Sequence, residues 1–170
     1  DLLSVSLFVW IVAGVGRLVL FHTRMLPDEP LDALLFSIAV GFGIIGNLIL
    51  FIGLTATLHR LVIFFLFLFL LGIAAYQGRH LSNLMRGSLE MLIPPAGNLV
   101  ISYFCLSIFA LGAIFLLIFA MAPPVNWDSL MYHLHLPQSF IKENRLFLPA
   151  DNLHVAYIGL AHMLYIPFLG

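Results

Sequence analysis

Charged side chains are scarce in this sequence: they make up 9% of the residues, whereas hydrophobic side chains make up 62%. A soluble globular domain is about 25% charged. Because so few charges cannot cover a surface that faces water, the composition excludes an ordinary soluble domain and indicates that the chain is surrounded by lipid. Phe, which suits the acyl region of a bilayer, outnumbers Trp by 16 to 2.

Cysteine and excess positive charge are also nearly absent. The single cysteine, Cys105, excludes an internal disulfide framework. The formal net charge of -1 provides no basic patch, so no nucleic-acid partner is expected. The first apolar run lacks the basic flank of a secretory signal. Because the chain begins at Asp1 and ends within the apolar stretch 154–170, we expect it to be a fragment of a longer protein.

The sequence instead has long apolar runs. Four of them reach the roughly 20 residues that a bilayer-spanning helix needs: about 2–21, 31–54, 58–76 and 99–121. Each must be helical, because backbone groups that face lipid have to be hydrogen bonded within the segment. We therefore predict that residues 1–122 form an all-α fold, a polytopic transmembrane helical bundle with four transmembrane helices.

The polar segments indicate how these helices are connected. Residues near 79–93 place leucines at helical spacing among polar residues, which predicts a surface amphipathic helix. Residues 123–170 hold four of the seven histidines, and we predict here a polar loop with juxtamembrane helices and the start of a further helix. Six basic residues flank the runs, three on each predicted side of the membrane. The positive-inside rule therefore does not determine the absolute orientation.

Gly41, Gly43 and Gly46 spell the G-x-G-x-x-G pattern of dinucleotide-binding loops. That function requires a strand before the glycines and the start of a helix after them. Here the glycines lie inside an apolar run, so the pattern indicates close helix packing through small residues. Asn47 would then bond to a neighbouring helix.

Arg17, near the end of the first run, has two interpretations: a functional charge within the membrane, or a side chain that extends to the interface, which is the commoner case. His22, His59 and His80 all lie at run ends. Ligands of haem or chlorophyll usually lie within helices, so the sequence does not favour a haem protein or a pigment-binding core.

The segment after the fourth run is the most informative. Asn126 is a good N-cap, and Pro137 would end a short helix. One face of that helix would be apolar, with Trp127, Leu130, Met131 and Leu134. Asp128, Tyr132 and His135 would share a second face. This spacing predicts an interfacial helix that presents a carboxylate, a phenol and an imidazole together.

Two functions fit this helix equally well. In its first turn Asp128 is stabilised as an anion by the helix dipole, and it could act as a general base or as a metal ligand. Alternatively, the helix is only an interfacial anchor with Trp127 and Tyr132 in the aromatic belt. His133 and His135 make a poor metal pair, because residues i and i+2 of a helix point about 200° apart. No cofactor is certain, and a divalent metal at Asp128 is the one candidate.

The same segment resembles the first large extracytoplasmic loop of the GT-C superfamily of membrane glycosyltransferases. It is especially similar to the bacterial family grouped with dolichyl-phosphate-mannose–protein mannosyltransferases. Members show Pro-Pro at a helix end, then W/Y-D-x-L-x-Y-H-L-x-x-P-x-x-[FY], a basic or Asn residue and Leu-Pro. The matching residues here are Pro123-Pro124, Trp127 to Leu134, Pro137, Phe140, Asn144-Arg145 and Leu148-Pro149. The upstream run Leu34 to Gly43 is similar to the N-terminal spans of this group.

The resemblance implies the N-terminal portion of an enzyme that transfers a sugar from a polyprenyl-phosphate donor to a lipid, glycan or protein acceptor. Asp128 matches the acidic residue at the active site, where it would deprotonate the acceptor hydroxyl or help to hold a divalent metal. Tyr132, His133 and His135 are candidate substrate-binding residues. Residues 123–153 would be extracytoplasmic, in the inner (plasma) membrane of a bacterium, and the partners would be membrane lipids and the sugar donor.

Three departures from the family pattern leave the implied active site incomplete. Ser129 stands where many members have a second acid, and the later loops that complete the site are not in this chain. Three runs precede the loop-bearing helix, more than in the simplest family topology. The alternative is a non-catalytic accessory or scaffold subunit that packs against other membrane subunits in a larger complex.

Overall fold

The computed structural model describes residues 2–91, 99–121, 135–147 and 160–169. Within these ranges the chain is entirely helical, with seven helices and no strand. In chain order the helices are α1 (Leu2–His22), α2 (Pro30–Leu54), α3 (Arg60–Tyr76), α4 (Gly78–Met91), α5 (Leu99–Met121), α6 (His135–Glu143) and α7 (Leu160–Leu169). The bounds of α1 to α5 agree within two residues with the helices predicted from the sequence, which confirms the all-α fold class.

Two helices, α1 and α2, are long and apolar enough to cross a membrane. Helices α3 and α4 meet at a 64° bend and pass the same test only as a pair, which gives three candidate spans if the pair is counted as one. Within α5 the segment Leu106–Leu116 is apolar but shorter. The helical character of the described runs is therefore established, whereas membrane crossing by α3 and α5 stays a prediction.

Helices α1 and α2 pack antiparallel with their backbones in contact. A Cβ atom on Gly16 would collide with the Ser37 carbonyl group and would lie 2.7 Å from the Gly41 amide nitrogen. A Cβ on Gly41 would in turn collide with the carbonyl of Val12. Only glycine allows two helices to approach this closely, so the crossing depends on residues 16 and 41.

Helices α1 and α3 run parallel. Each contacting residue of α1 lies beside the residue about 60 positions later in the chain. The Phe8 and Phe67 rings stack with centroids 5.9 Å apart. Further along, a Cβ on Gly14 would lie 2.8 Å from the Cα of Ala74. Arg17 then contacts Gln77, which follows α3 directly. The tight contacts of α1 with both α2 and α3 make α1 the centre of the bundle.

The short helices α6 and α7 complete the core at one end of this three-helix bundle. Leu136 and Phe140 of α6 and Met163 and Ile166 of α7 join the same buried cluster as Phe8, and none of them is more than 7% exposed. By contrast, every side chain of α5 that the structure describes is exposed. The described chain is thus a packed bundle of α1, α2, α3, α6 and α7, with the amphipathic helix α4 across one end.

The glycine triplet behaves as a packing motif only in part. Gly41 and Gly46 are buried, but a Cβ on Gly43 would meet nothing within 4 Å. Asn47 is exposed, and its Nδ2 donates to the Gly43 carbonyl of its own helix at 2.8 Å. The expected bond from Asn47 to a neighbouring helix was therefore wrong, because the carbonyl one turn back lies within reach of the exposed side chain.

Candidate functional site

The loop face is the end of the bundle where α1 and α3 begin and the α2–α3 turn lies. Helix α6 packs here because its apolar residues fall on one side: Leu136, Pro137, Phe140 and Ile141 are buried. Gln138, Lys142 and Glu143 lie on the exposed side. Phe140 is fully buried, and its ring meets the Phe147 ring edge to face at 5.8 Å.

Two backbone hydrogen bonds hold the segment after α6 on the α2–α3 turn. The Leu58 amide donates to the Asn144 carbonyl at 3.0 Å, and the Leu146 amide donates to the Gly53 carbonyl at 3.1 Å. Asn144 adopts a left-handed conformation with φ of 54°, which asparagine tolerates better than most residues and which allows the chain to turn back. The chain therefore returns to the turn that precedes Arg60.

A cavity of about 360 Å³, the Arg60 cavity, lies between α3 and α7 on this loop face. It is lined by Arg60, Leu61, Ile63, Phe64, Phe67 and Pro167. Arg60 is the first residue of α3 and, among the described residues of the lining, the single charged one. A mainly apolar cavity with one arginine in its lining is chemically suited to a ligand with an apolar chain and a phosphate group.

Three of the four predicted site residues, Asp128, Tyr132 and His133, lie outside the described residues. His135 is described: it is the exposed first residue of α6, and its carbonyl accepts a bond from the Ser139 hydroxyl at 3.0 Å. Its side chain does not line the Arg60 cavity. On the described part of the chain, then, His135 is on the loop face but is not brought to the cavity.

The predicted end of a helix at Pro137 was wrong. Within the described residues the helix continues through Pro137 to Glu143, and Phe140 and Ile141 beyond the proline are buried.

Sequence analysis did not single out Arg60, the charged residue among the described lining of this cavity. The available signal was an arginine at the first position of an apolar helix, on the same face as the histidine-rich loop. No metal cluster is evident in the parts of the chain with assigned positions: no three His, Cys, Asp or Glu side chains converge there. A divalent metal at Asp128 is not tested by this observation.

A second polar site, the Arg17 cavity, lies at the opposite end of the bundle. It has a volume of about 180 Å³ and is lined by Arg17, Leu18, Phe21, His22, Tyr76, Gln77 and His80. Arg17 is only 9% exposed, and its Nη1 donates to the Gln77 Oε1. Arg17 thus contacts Gln77, the residue between α3 and α4, and the Phe21 ring centroid lies 5.9 Å from its Cζ; its extension to a membrane interface stays a prediction.

Comparison with known proteins adds no assignment: no family model, curated protein or solved structure matches this chain.

Proposed function

We propose that this chain belongs to a membrane glycosyltransferase of the GT-C type, which transfers a sugar from a polyprenyl-phosphate donor to a lipid, glycan or protein acceptor. In this proposal α3 and α5 also cross the bilayer, giving four transmembrane helices. Residues 123–153 then lie on the extracytoplasmic side of a bacterial inner membrane. The resemblance of the segment from Trp127 to Pro137 to the family's first loop motivates the assignment.

One structural observation carries the proposal: the chain that leaves this loop is hydrogen bonded to the turn that leads into Arg60. The bond from the Leu58 amide to the Asn144 carbonyl brings residue 144, in the described part of this loop, to a position two residues before that arginine in the chain. The loop with the candidate carboxylate therefore ends beside a cavity suited to a lipid phosphate. A donor bound there would have its isoprenoid chain against Phe64 and Phe67 and its phosphate at Arg60.

The proposed reaction follows from these groups. The Asp128 carboxylate accepts the proton of the acceptor hydroxyl, and that oxygen attacks the anomeric carbon of the donor sugar. The bond between the anomeric carbon and the phosphate oxygen breaks, and polyprenyl phosphate leaves with the electron pair. The Arg60 guanidinium stabilises the phosphate as its charge increases. A divalent metal held by Asp128 would supply the same stabilisation.

The test uses the full-length protein in membranes, with a panel of synthetic polyprenyl-phosphate sugars as donors and release of polyprenyl phosphate as the measurement. We expect Asp128→Asn to lower kcat by about 100-fold or more, because general base catalysis contributes that much. Asp28→Asn, an exposed acid at the opposite end of the bundle, is the matched control and should retain activity. Full activity of Asp128→Asn would refute the catalytic assignment.

A second variant separates donor binding from catalysis. Removing the Arg60 charge by Arg60→Gln should raise KM for the donor about ten-fold, since a charge-assisted hydrogen bond to phosphate is worth about 1.5–3 kcal/mol. Replacing Lys142, an exposed cation of α6 that does not line the cavity, by Gln should leave KM unchanged. An unchanged KM in Arg60→Gln would remove the Arg60 cavity from the donor site.

The alternative function, a non-catalytic accessory or scaffold subunit, is favoured by one observation. Every described side chain of α5 is exposed, including those of Phe104 and Phe109, so this apolar helix presents a broad surface to lipid or to a partner helix. Stoichiometric copurification with other membrane subunits, together with the absence of transfer for every donor of the panel, would establish this alternative over the enzyme.

A further inference from the structure

The Arg17 cavity holds a cation that the described chain does not neutralise. The Arg17 side chain is more than nine-tenths buried, and its Nε, with under 1 Å² of exposed surface, has no hydrogen-bond partner. Among the described residues its one side-chain hydrogen-bond partner is the neutral amide of Gln77. A buried guanidinium group without a counter-charge is costly, and an arginine has five N–H groups to satisfy.

The described chain places its acids elsewhere. No Asp or Glu lines the Arg17 cavity, and no ion pair of Arg17 is formed within the described ranges. The carboxylates at this end of the bundle belong to the start of α2 and the end of α4: Asp28, Glu29, Asp32 and Glu90. These two regions meet each other, since a Cβ on Gly87 would lie 3.0 Å from the Pro30 Cβ. The start of α4, which lies beside Arg17, is separate from this region of acidic residues.

The other groups around Arg17 are of the kind that bind anions. His22 and His80 line the cavity, but the His22 Nδ1 already donates to the Leu18 carbonyl at 2.9 Å, so a neutral imidazole at His80 is the one that can donate to an anion. Helix α4 begins at Gly78, so its positive dipole end lies beside Gln77 and His80, whereas α1 and α3 bring their negative C-terminal ends to the same cavity. The groups here that can bind a phosphate are the Arg17 guanidinium, the His80 imidazole and the start of α4.

The depth of the cavity indicates which phosphate would reach it. Arg17 precedes the end of α1 by five residues, about 7.5 Å along the helix axis, and His22 and Tyr76 at the cavity edge are exposed. Helix α4 has the strongly amphipathic pattern of a helix that lies at a membrane surface. Lipid phosphates lie outside the hydrocarbon core, near the level of α4 and the end of α1, so a phosphate would reach Arg17 by entering the cavity from that surface. The volume of about 180 Å³ has room for several waters of about 30 Å³ each, and hence for a phosphate group.

We propose that the Arg17 cavity binds the phosphate group of an anionic membrane lipid, in the leaflet opposite to the loop face. Arg17 provides the main contact, His80 adds a donor, and the acyl chains lie against the bundle next to Phe21. The site is independent of the proposed transferase function, because Arg60 and the histidine-rich loop are at the other end of the bundle.

The experiment uses the full chain in detergent micelles and measures bound lipid by native mass spectrometry. The probe is phosphatidic acid, with phosphatidylcholine, diacylglycerol and inorganic phosphate as comparisons. We expect one phosphatidic acid to be retained, with phosphatidylcholine held more weakly because choline shields its phosphate, and diacylglycerol not retained. Binding of inorganic phosphate with equal occupancy and no retained lipid would overturn the lipid assignment in favour of a free anion.

Two variants test the residues. Arg17→Gln should weaken phosphatidic acid binding about ten-fold or more, the value of a charge-assisted hydrogen bond. Arg79→Gln is the control: it removes an exposed arginine in the first turn of α4 that does not line the cavity, and it should bind as the wild type does. Equal binding by Arg17→Gln and the wild type would overturn the proposal.

Gln77→Glu keeps the proposal testable if Arg17→Gln does not fold. The new carboxylate would neutralise Arg17 internally, so the variant should fold, show an increased melting temperature and lose phosphatidic acid binding. If the contact between residues 17 and 77 is only structural, Gln77→Glu should increase the melting temperature but should still bind phosphatidic acid. Increased stability with unchanged lipid binding would therefore contradict the lipid site.

Discussion

Gly16 of α1 lies directly against Gly41 of α2: a Cβ on Gly16 would stand 2.7 Å from the Gly41 amide nitrogen. No side chain separates the two helices at this point. In lipid there is little hydrophobic force between apolar helices, so close packing and the dispersion contacts it brings are what hold them together. The geometry of the whole bundle follows from this crossing, because α1 also positions α3.

The crossing predicts a clear difference between two glycines of the same helix. Gly41→Ala should lower the free energy of unfolding by about 1–3 kcal/mol, the usual cost of overpacking. Gly43→Ala is the matched control: its added methyl group meets nothing within 4 Å, and alanine favours the helix. Thermal unfolding in detergent, followed by circular dichroism, measures both. Equal melting temperatures for the two variants would contradict the packing assignment.

The sequence predicted the helices well because lipid leaves few alternatives: a long apolar run has to be helical wherever it crosses the bilayer. It did not predict that Arg17 contacts Gln77, because the two residues are 60 positions apart and neither carries a local signal for the other. The small-residue packing at Gly41 was predicted, but its partner Gly16 was not. Periodicity in the sequence identifies which face of a helix is buried. Which other helix packs against that face depends on the tertiary structure.

The docking of α6 depends on one aromatic ring. Phe140→Ala should cost about 3–5 kcal/mol, as truncation of a buried Phe typically does, and should release α6 from the loop face. Gln138→Ala, two residues earlier on the exposed side, should have little effect. Hydrogen exchange of the α6 amides is the measurement. Unchanged protection in Phe140→Ala would show that α6 is held by other contacts.

The contact between Gly53 and Leu146 predicts a compensating pair of substitutions. A Cβ on Gly53 would lie 2.6 Å from the Leu146 Cγ, so Gly53→Ala should displace the return segment and speed exchange of the Leu58 amide. Adding Leu146→Ala removes the clash and should restore part of the protection. A double-mutant cycle should give a coupling of about 0.5–3 kcal/mol for residues in direct contact. Independent effects of the two substitutions would argue against this contact.

Membrane crossing by α3 is tested by labelling from the two sides. In a Cys105→Ser background, cysteine is introduced at Thr57, before α3, or at Ser82, in α4; both positions are exposed. In intact cells an impermeant maleimide should label position 57 and should reach position 82 only after permeabilisation. Labelling of both positions in intact cells would place α3 and α4 on one side of the membrane and would reduce the number of spans.

The two backbone bonds between the α2–α3 turn and residues 144 and 146 also impose an order on biosynthesis. The turn emerges from the ribosome long before the partners of its Leu58 amide and Gly53 carbonyl exist, an interval on the order of ten seconds at the usual rate of translation. Helices α1 and α2 can pair during that time. A nascent chain arrested before residue 144 would therefore carry paired helices but an unfinished loop face.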